Sequence, residues 1–151
     1  MDSPASHRLR RGRVSIPGQL YLLTTTVAGR DPVFADFALA RLMVEQLRYA
    51  EDCELVRSLA WVVMPDHVHW LVELKAVSLA TLMRRVKCRS TCLINKRHGR
   101  NGPLWQAGFH DRALRRDEDV VAVARYIVAN PLRAGLVSRV GDYPHWDAVW
   151  L

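Results

Sequence analysis

Two histidines separated by a single residue are the first candidates for chemistry in this sequence. His67 and His69 flank Val68 in an apolar run typical of a β-strand. Successive strand side chains point to opposite faces, so both imidazoles would share a face, with Cβ atoms roughly 6–7 Å apart. Two rings at that spacing can bind one divalent ion. A structural pair is the alternative, and the partners supplied by the rest of the chain decide between them.

A tyrosine and an asparagine four residues apart are the second candidates. Tyr126 and Asn130 would lie one above the other on one helical face. Beside the histidines, the phenol could attack the phosphorus of a phosphodiester while a divalent ion polarised a phosphate oxygen. Substrate oxygens would complete the ligand shell, because neutral ligands alone suit a hard ion poorly. The alternatives are a packing role for the tyrosine and a helix-terminus role for the asparagine.

The elements that must position these residues alternate between strands and helices. Periodicity and turn residues predict strands at 19–27, 55–64, from 67 onward and at 109–114, and helices at 37–50, 79–96 and 118–130. Ser78 and Asp117 are expected to cap the last two helices, while Asn101-Gly102-Pro103 and Pro131 are expected to end them. This order favours an α+β domain with helices packed on a mostly antiparallel sheet, close to the ferredoxin-like layout.

The predicted strand that begins with the histidines has one uniformly apolar side. That side consists of Val68, Trp70, Val72 and Leu74. It is expected to lie against the core. The histidines would then project from the opposite, more accessible face, next to a tight turn at Pro65-Asp66.

Length and composition indicate one globular domain. The 151 residues can bury a single core, and we expect a basic flexible arm over 1–17 and a domain over 18–151. No apolar run approaches the roughly 20 residues of a membrane helix, and the first residues lack the apolar segment of a secretory signal. Cys53, Cys88 and Cys92 form no Cys-x-x-Cys pair, which favours a reduced, cytoplasmic protein. Cys88 and Cys92 are expected to be small core residues of the second helix.

Positive charge is the strongest compositional signal. The formal net charge of +7 and the isoelectric point near 9.9 favour a polyanionic partner, either nucleic acid or an acidic surface. The basic residues cluster in the arm, along the second helix and just after the third. Our candidate phosphate contacts are Arg10, Arg11, Arg13, Arg84, Arg85, Lys87, Arg89, Lys96, Arg97, Arg100 and Arg133. A merely solvated helix face is the alternative.

Three separated motifs give the chain a family resemblance. They are the segments 61–69 (WVVMPDHVH), 102–109 (GPLWQAGF) and 125–137 (RYIVANPLRAGLV). In this order they resemble motifs of the REP-associated tyrosine transposases, which belong to the single-tyrosine HUH transposases. The likeness runs from Arg11 to Leu151 and so covers nearly the whole chain.

The resemblance implies a ferredoxin-like core with the histidines on a central strand. It implies a transposase that cleaves and rejoins single-stranded DNA, with His67, His69 and Asn130 as ligands of Mg²⁺ or Mn²⁺. Tyr126 would be the catalytic nucleophile that becomes joined to the 5′-phosphate. The expected partner is a DNA hairpin formed by a repetitive extragenic palindrome (REP), bound by a monomer or a homodimer. Neither a membrane nor a small-molecule cofactor is expected.

Two positions depart from the family pattern. Asp66 stands where the family usually has Asn; a turn role is expected, with a carboxylate near the metal as the alternative. His110 lies where relatives often carry an aromatic residue. A structural role is expected there, with proton transfer to or from the leaving oxygen as the alternative.

Two other functions stay open at the level of sequence. The first is an inactive regulator that binds hairpin DNA or RNA, and the second is a metal phosphodiesterase that uses water while Tyr126 only packs. A histidine-triad nucleotide hydrolase is disfavoured, because Leu71 occupies the position of a third alternating histidine.

Overall fold

The computed structural model describes residues 15–115 and 118–150 of the chain. The strands of this part are β1 (Leu20–Thr26), β2 (Val56–Met64), β3 (His67–Leu74), β4 (His110–Ala113) and β5 (Trp146–Ala148). The α-helices are α1 (Phe37–Asp52), α2 (Leu79–His98), α3 (Val120–Val128) and the single turn α4 (Asn130–Arg133). Short 3-10 turns lie at Ala28–Arg30, Val33–Ala35 and Val140–Asp142.

The five strands form one antiparallel sheet in the order β4-β1-β3-β2-β5. Both histidines therefore lie on the middle strand, β3. The first four strands have the 4-1-3-2 order of a ferredoxin-like domain, and the predicted α+β class is confirmed. β5 was not predicted, because three residues are too few to show a periodicity. It extends the sheet beyond β2, where Trp146 pairs with Val62.

One face of the sheet, which we call the closed face, is covered by α1 and α2. The predicted apolar side of β3 is buried here together with residues of both helices. Trp70 is 2% exposed, and its ring nitrogen donates a hydrogen bond to Ser58 Oγ at 2.9 Å. The expectation that this side of β3 lies against the core is confirmed.

The opposite face, which we call the open face, carries the two histidines and is covered by α3. Ala124, Ile127 and Val128 of this helix are buried in a second apolar cluster that includes Met64 and Leu71. Leu71 therefore supports the helix from the same face as the histidines. The histidines themselves are only half-buried.

The helix ends agree with the predictions only in part. Ser78 caps α2 as predicted, and its side chain accepts a hydrogen bond from the backbone of Thr81. α2 ends earlier than the expected break, since Gly99 caps it in the left-handed conformation with φ 64°. α3 begins at Val120, where the Asp119 side chain accepts a hydrogen bond from the backbone of Ala122, and the predicted cap Asp117 lies outside the described residues. Pro131 does not end the helical path. It stands in the first turn of α4, where the missing N–H of proline costs no hydrogen bond.

The prediction that Cys88 and Cys92 are core residues was wrong. Both are exposed thiols on α2. The helix uses a different stripe for packing, with Leu82, Val86 and Ile94 among its buried residues. Residues four apart share a helical face, so the two cysteines are exposed together.

No described helix is both long enough and apolar enough to cross a membrane. Residues 1–14 of the expected arm, with Arg10, Arg11 and Arg13, lie outside the described residues. The last residues of that segment contact the domain. Ser15 Oγ accepts a hydrogen bond from the backbone N–H of Leu79, and the backbone N–H of Ile16 donates to Tyr21 Oη.

Candidate active site

The two histidines lie at the start of β3, next to the turn that joins it to β2. Pro65 and Asp66 form this two-residue turn as predicted, since Met64 pairs directly with His67. The rings of His67 and His69 lie with their centroids 4.8 Å apart and their planes at 79°. The alternation of the strand thus brings the two imidazoles together on the open face.

The surroundings of His69 favour its neutral form. Its Nδ1 lies 2.8 Å from Oγ1 of Thr24, the residue paired with it on β1. Burial, followed by the charges of His67 and Arg133, lowers the pKa of His69 from 6.5 to about 4. A neutral imidazole keeps the lone pair that a metal ligand requires, so His69 can bind a cation at neutral pH.

His67 has a charged partner instead of a hydroxyl. Its Nδ1 lies 2.7 Å from Oδ1 of Asp66, and the other carboxylate oxygen of Asp66 accepts a hydrogen bond from Nε of Arg30 at 2.9 Å. Burial raises the pKa of Asp66, but the hydrogen bonds and charges of His67 and Arg30 outweigh it and lower that pKa overall. The carboxylate therefore stays ionised and can only accept.

Asp66 has a role that the sequence did not reveal. Asp66 forms the turn as expected, and both its carboxylate oxygens also contact neighbouring side chains. Arg30 was missed as well, because it is 36 positions away and nothing in its local sequence marks it.

The ε nitrogens of both imidazoles remain available for a cation. Among the described residues, none donates to or accepts from Nε2 of His67 or His69. Within the same residues, no group of three or more His, Cys, Asp and Glu side chains could hold a metal ion. Two imidazole nitrogens and the amide of Asn130 nevertheless fit a divalent ion that takes nitrogen and oxygen ligands. Asn130 is half-buried at the start of α4.

Tyr126 is not a packing residue. It lies on α3 with 63% of its surface exposed, while Ala124, Ile127 and Val128 form the buried side of the helix. The guanidinium of Arg133 stacks on the tyrosine ring, 3.7 Å from its centroid. The same positive charge acts on His69, so Arg133 lies within electrostatic reach of the histidine pair.

The predicted phosphate contacts on α2 fall into two groups. Arg84, Arg85, Lys96 and Arg97 are exposed, in accord with a role in binding an anion. Three others already have partners within the fold: Lys87 donates to the carbonyls of Gln106 and Gly108, Arg89 donates to Gln46 and stacks on Tyr49, and Arg100 lies 4.0 Å from an Asp31 carboxylate oxygen. α2 covers the closed face, so this basic surface lies across the sheet from the histidines.

His110 lies on the open face at the edge of the sheet. It is exposed, and it pairs with Thr24, which in turn pairs with His69. Directly paired residues of antiparallel strands project from the same face. His110 therefore shares the face of the histidine pair but is separated from it by β1.

The described residues thus combine a ferredoxin-like sheet, a pair of histidines on its open face and an exposed tyrosine on the helix that covers this face. The chain belongs to the family described as "Transposase IS200 like", whose sequence model matches residues 19–130. The matched range contains His67, His69, Tyr126 and Asn130.

Two curated relatives are similar in sequence. The REP-associated tyrosine transposase of Escherichia coli K12 is 30% identical over 87 residues, which make up 56% of this chain and 50% of the relative. A Haemophilus influenzae protein provisionally named a REP-associated tyrosine transposase is 29% identical over 111 residues, or 64% of this chain and 62% of the relative. The chain thus spans half of the first relative's length and 62% of the second's.

Two solved structures share the fold. A REP-associated tyrosine transposase bound to a REP hairpin superposes with a TM-score of 0.69 at 24% identity, over 89% of this chain and 79% of that one. A protein of Deinococcus radiodurans provisionally described as a transposase gives a TM-score of 0.57 at 20% identity, over 78% of this chain and 94% of that one. At these identities the likeness establishes the fold alone.

Proposed function

We propose that this protein nicks and rejoins single-stranded DNA at REP-like hairpins through a 5′-phosphotyrosine intermediate, in a reaction that depends on a divalent metal. The observation that carries the proposal is the exposed Tyr126, which stacks on an arginine whose charge also acts on His69. A core tyrosine would have no access to a DNA phosphate. The family and the names of the relatives supply the substrate class.

The metal site would consist of His67, His69 and Asn130. The Nδ1 atom of each histidine already has a partner, which leaves Nε2 of each ring to face a cation. Mg²⁺ or Mn²⁺ bound there would polarise a non-bridging phosphate oxygen. The remaining ligands would be oxygens of the DNA and water.

Tyr126 would act as the nucleophile. Its Oη attacks the phosphorus of the scissile phosphodiester and gives up its proton. The new bond joins Oη to phosphorus, the bond between phosphorus and O3′ breaks, and the departing oxygen takes up a proton as a free 3′-hydroxyl. Attack by a 3′-hydroxyl on the phosphotyrosine reverses these steps and rejoins the strand.

Arg133 would bind the same phosphate that the tyrosine attacks. Its guanidinium stacks through its face on Tyr126, and its side chain has no hydrogen bond or ion pair with a described residue. Stacking through the face leaves the N–H groups at the edge of the guanidinium free for two phosphate oxygens. Exposed cations on α2 would contact the rest of the hairpin through its phosphates.

A covalent adduct tests the proposal directly. We would incubate the protein and Mn²⁺ with a 3′-labelled single-stranded oligonucleotide that folds into a REP-like hairpin, and resolve the products on a denaturing gel. The wild-type protein is expected to carry the label, because the tyrosine retains the fragment with the 5′-phosphate. The Tyr126→Phe variant is expected to form no adduct and to retain the melting temperature of the wild type, since the ring is exposed.

Tyr49→Phe is the matched control. Its ring also stacks on an arginine, Arg89, with the same 3.7 Å separation, but it lies on α1, which covers the closed face. This variant should form the adduct as the wild type does. Cleavage that survives in Tyr126→Phe would show a phosphodiesterase that uses water. Hairpin binding without any cleavage by the wild type would show a regulator, and either result overturns the proposal.

A further inference from the structure

Asp66 connects a histidine of the site to an arginine outside it. Its two carboxylate oxygens lie 2.7 Å from Nδ1 of His67 and 2.9 Å from Nε of Arg30. The side chains of His67 and Asp66 are 17% and 22% exposed, whereas that of Arg30 is 63% exposed. The carboxylate is thus oriented from both sides, by the imidazole and by the guanidinium.

The backbone holds Arg30 in place at some conformational cost. Its φ of 54° lies in the left-handed region that non-glycine residues rarely adopt, directly after Gly29 at φ 64°. Arg30 N–H donates to the Val27 carbonyl within this segment, and Val27 N–H donates to the Asp66 carbonyl of the turn. A non-glycine residue in such a conformation persists where the surrounding structure requires it.

We propose that Asp66 and Arg30 are positioning residues for His67, which Asp66 holds with its proton on Nδ1 and its Nε2 lone pair turned to the metal site. This inference rests on the proposed function, because it deepens the role of one of the proposed metal ligands. An ionised carboxylate can only accept a hydrogen bond, so the ring must donate from Nδ1. Carboxylate partners of this kind set the tautomer and the orientation of metal-binding histidines.

The two histidines differ in this respect. The Nδ1 of His69 has a hydroxyl partner, Thr24, and a hydroxyl can either donate or accept. Thr24 therefore leaves the tautomer of His69 open, whereas Asp66 determines that of His67. His67 would be the ligand that is fully oriented before a cation arrives.

The first measurement is made on the metal-free protein and needs neither DNA nor activity. Nitrogen chemical shifts of the His67 imidazole report which ring nitrogen carries the proton. In the wild type we expect the proton on Nδ1. Asp66→Ala should give a mixture of tautomers, whereas Asp66→Asn should retain the Nδ1 proton, since its amide oxygen can still accept.

The second measurement is direct Mn²⁺ binding. Electron paramagnetic resonance detects the ion that remains free and so gives the amount bound. Asp66→Ala should weaken binding by about 10- to 100-fold, as loss of such a partner does at other metal sites. Asp66→Asn and Arg30→Ala should have smaller effects. Glu73→Ala and Arg57→Ala are the matched controls, because this ion pair lies on the same hairpin at 3.5 Å and touches neither histidine; both should bind Mn²⁺ as the wild type does.

The outcomes separate this inference from the proposed function. If Asp66→Ala keeps the Nδ1 proton, or binds Mn²⁺ as tightly as Glu73→Ala, the positioning role is overturned while the metal site stands. If the wild type binds no Mn²⁺, the metal assignment in the proposed function fails, and the tautomers alone decide the role of Asp66. Should Asp66→Ala not fold, Asp66→Val tests the same loss of the Nδ1 acceptor, and a retained Nδ1 proton or Mn²⁺ binding equal to that of Glu73→Ala overturns the positioning role.

Discussion

Two long helices cover one face of the five-stranded sheet, whereas a helix of nine residues covers the other. On the closed face, β3 contributes an unbroken apolar row that includes Val68 and Trp70. On the open face, the same strand contributes two half-buried histidines before it reaches the buried Leu71. The residues of the two faces alternate along a single strand.

This alternation shows how the site is held without being enclosed. His67 and His69 are exposed enough to accept a ligand, while their neighbours on β3 are packed at nearly zero exposure on the other side. Side chains in close-packed interiors have little room to move, so the closed face restrains the backbone that carries the histidines. The closed face would thus keep the backbone of β3 rigid, while the open face presents the two histidines to a ligand.

The largest expected loss of stability comes from the closed face. Trp70→Ala removes a buried ring and leaves the Ser58 hydroxyl without its partner. We expect the free energy of unfolding to fall by about 3–5 kcal/mol. Urea denaturation, monitored by circular dichroism, measures this change in the free energy of unfolding. A loss below about 1 kcal/mol would mean that the closed face does not carry the stability of the fold.

A smaller loss is expected on the open face. Ile127→Ala removes a side chain that is 1% exposed beneath α3. We expect a loss of about 2–3 kcal/mol, at the lower end of the range for such truncations, because one short helix can settle into the space. The same variant should form less DNA adduct, since the helix carries Tyr126. If the variant loses stability but forms as much adduct as the wild type, the packing of α3 on the sheet does not control the activity of Tyr126.

The smallest effect is expected where the two faces meet, at His145. Its ring packs between Phe37, which begins α1, and Tyr143, which packs against the open-face cluster. Burial, and then the charge of Arg41, lowers the pKa of His145 from its ordinary 6.5. The unfolded chain therefore binds this proton at a higher pH than the folded chain. The contribution of neutral His145 to the stability of the fold is fully present above about pH 6.5. It is lost as the pH falls through the lowered pKa of His145 in the folded chain.

The variant His145→Gln checks the sign of this dependence. Between pH 7.5 and pH 5.5, the melting temperature of the wild type should fall more than that of the variant, because only the wild type has this buried imidazole. His69 titrates in both proteins, so its contribution cancels in the comparison. An equal fall in both would show that His145 does not contribute to acid sensitivity.

The sequence predicted the elements with a strong period and the residues that occur on them. β3 was recognised from its alternation, and the placement of His67 opposite Trp70 followed from that alone. Tyr126 was identified as a candidate nucleophile from its spacing to Asn130 and from a family resemblance. Its exposure became clear only once the buried side of α3 was known.

Contacts between residues far apart in the chain could not be predicted from the sequence. The Arg30 side chain meets Asp66 through the packing of a 3-10 turn against the hairpin, and no local pattern encodes that. Lys87 looked like a phosphate contact, yet its ammonium satisfies two backbone carbonyls. Charge alone cannot separate a cation that binds a ligand from one that supports a loop.

The two outermost strands of the described sheet have a consequence for the protein at high concentration. β4 has four residues, of which His110 is exposed and Asp111 and Arg112 are charged, and β5 has three, with Asp147 in the middle. Long, apolar edge strands pair with other chains and promote aggregation. Edges this short and polar offer little template for such pairing, so the folded protein should resist edge-to-edge association.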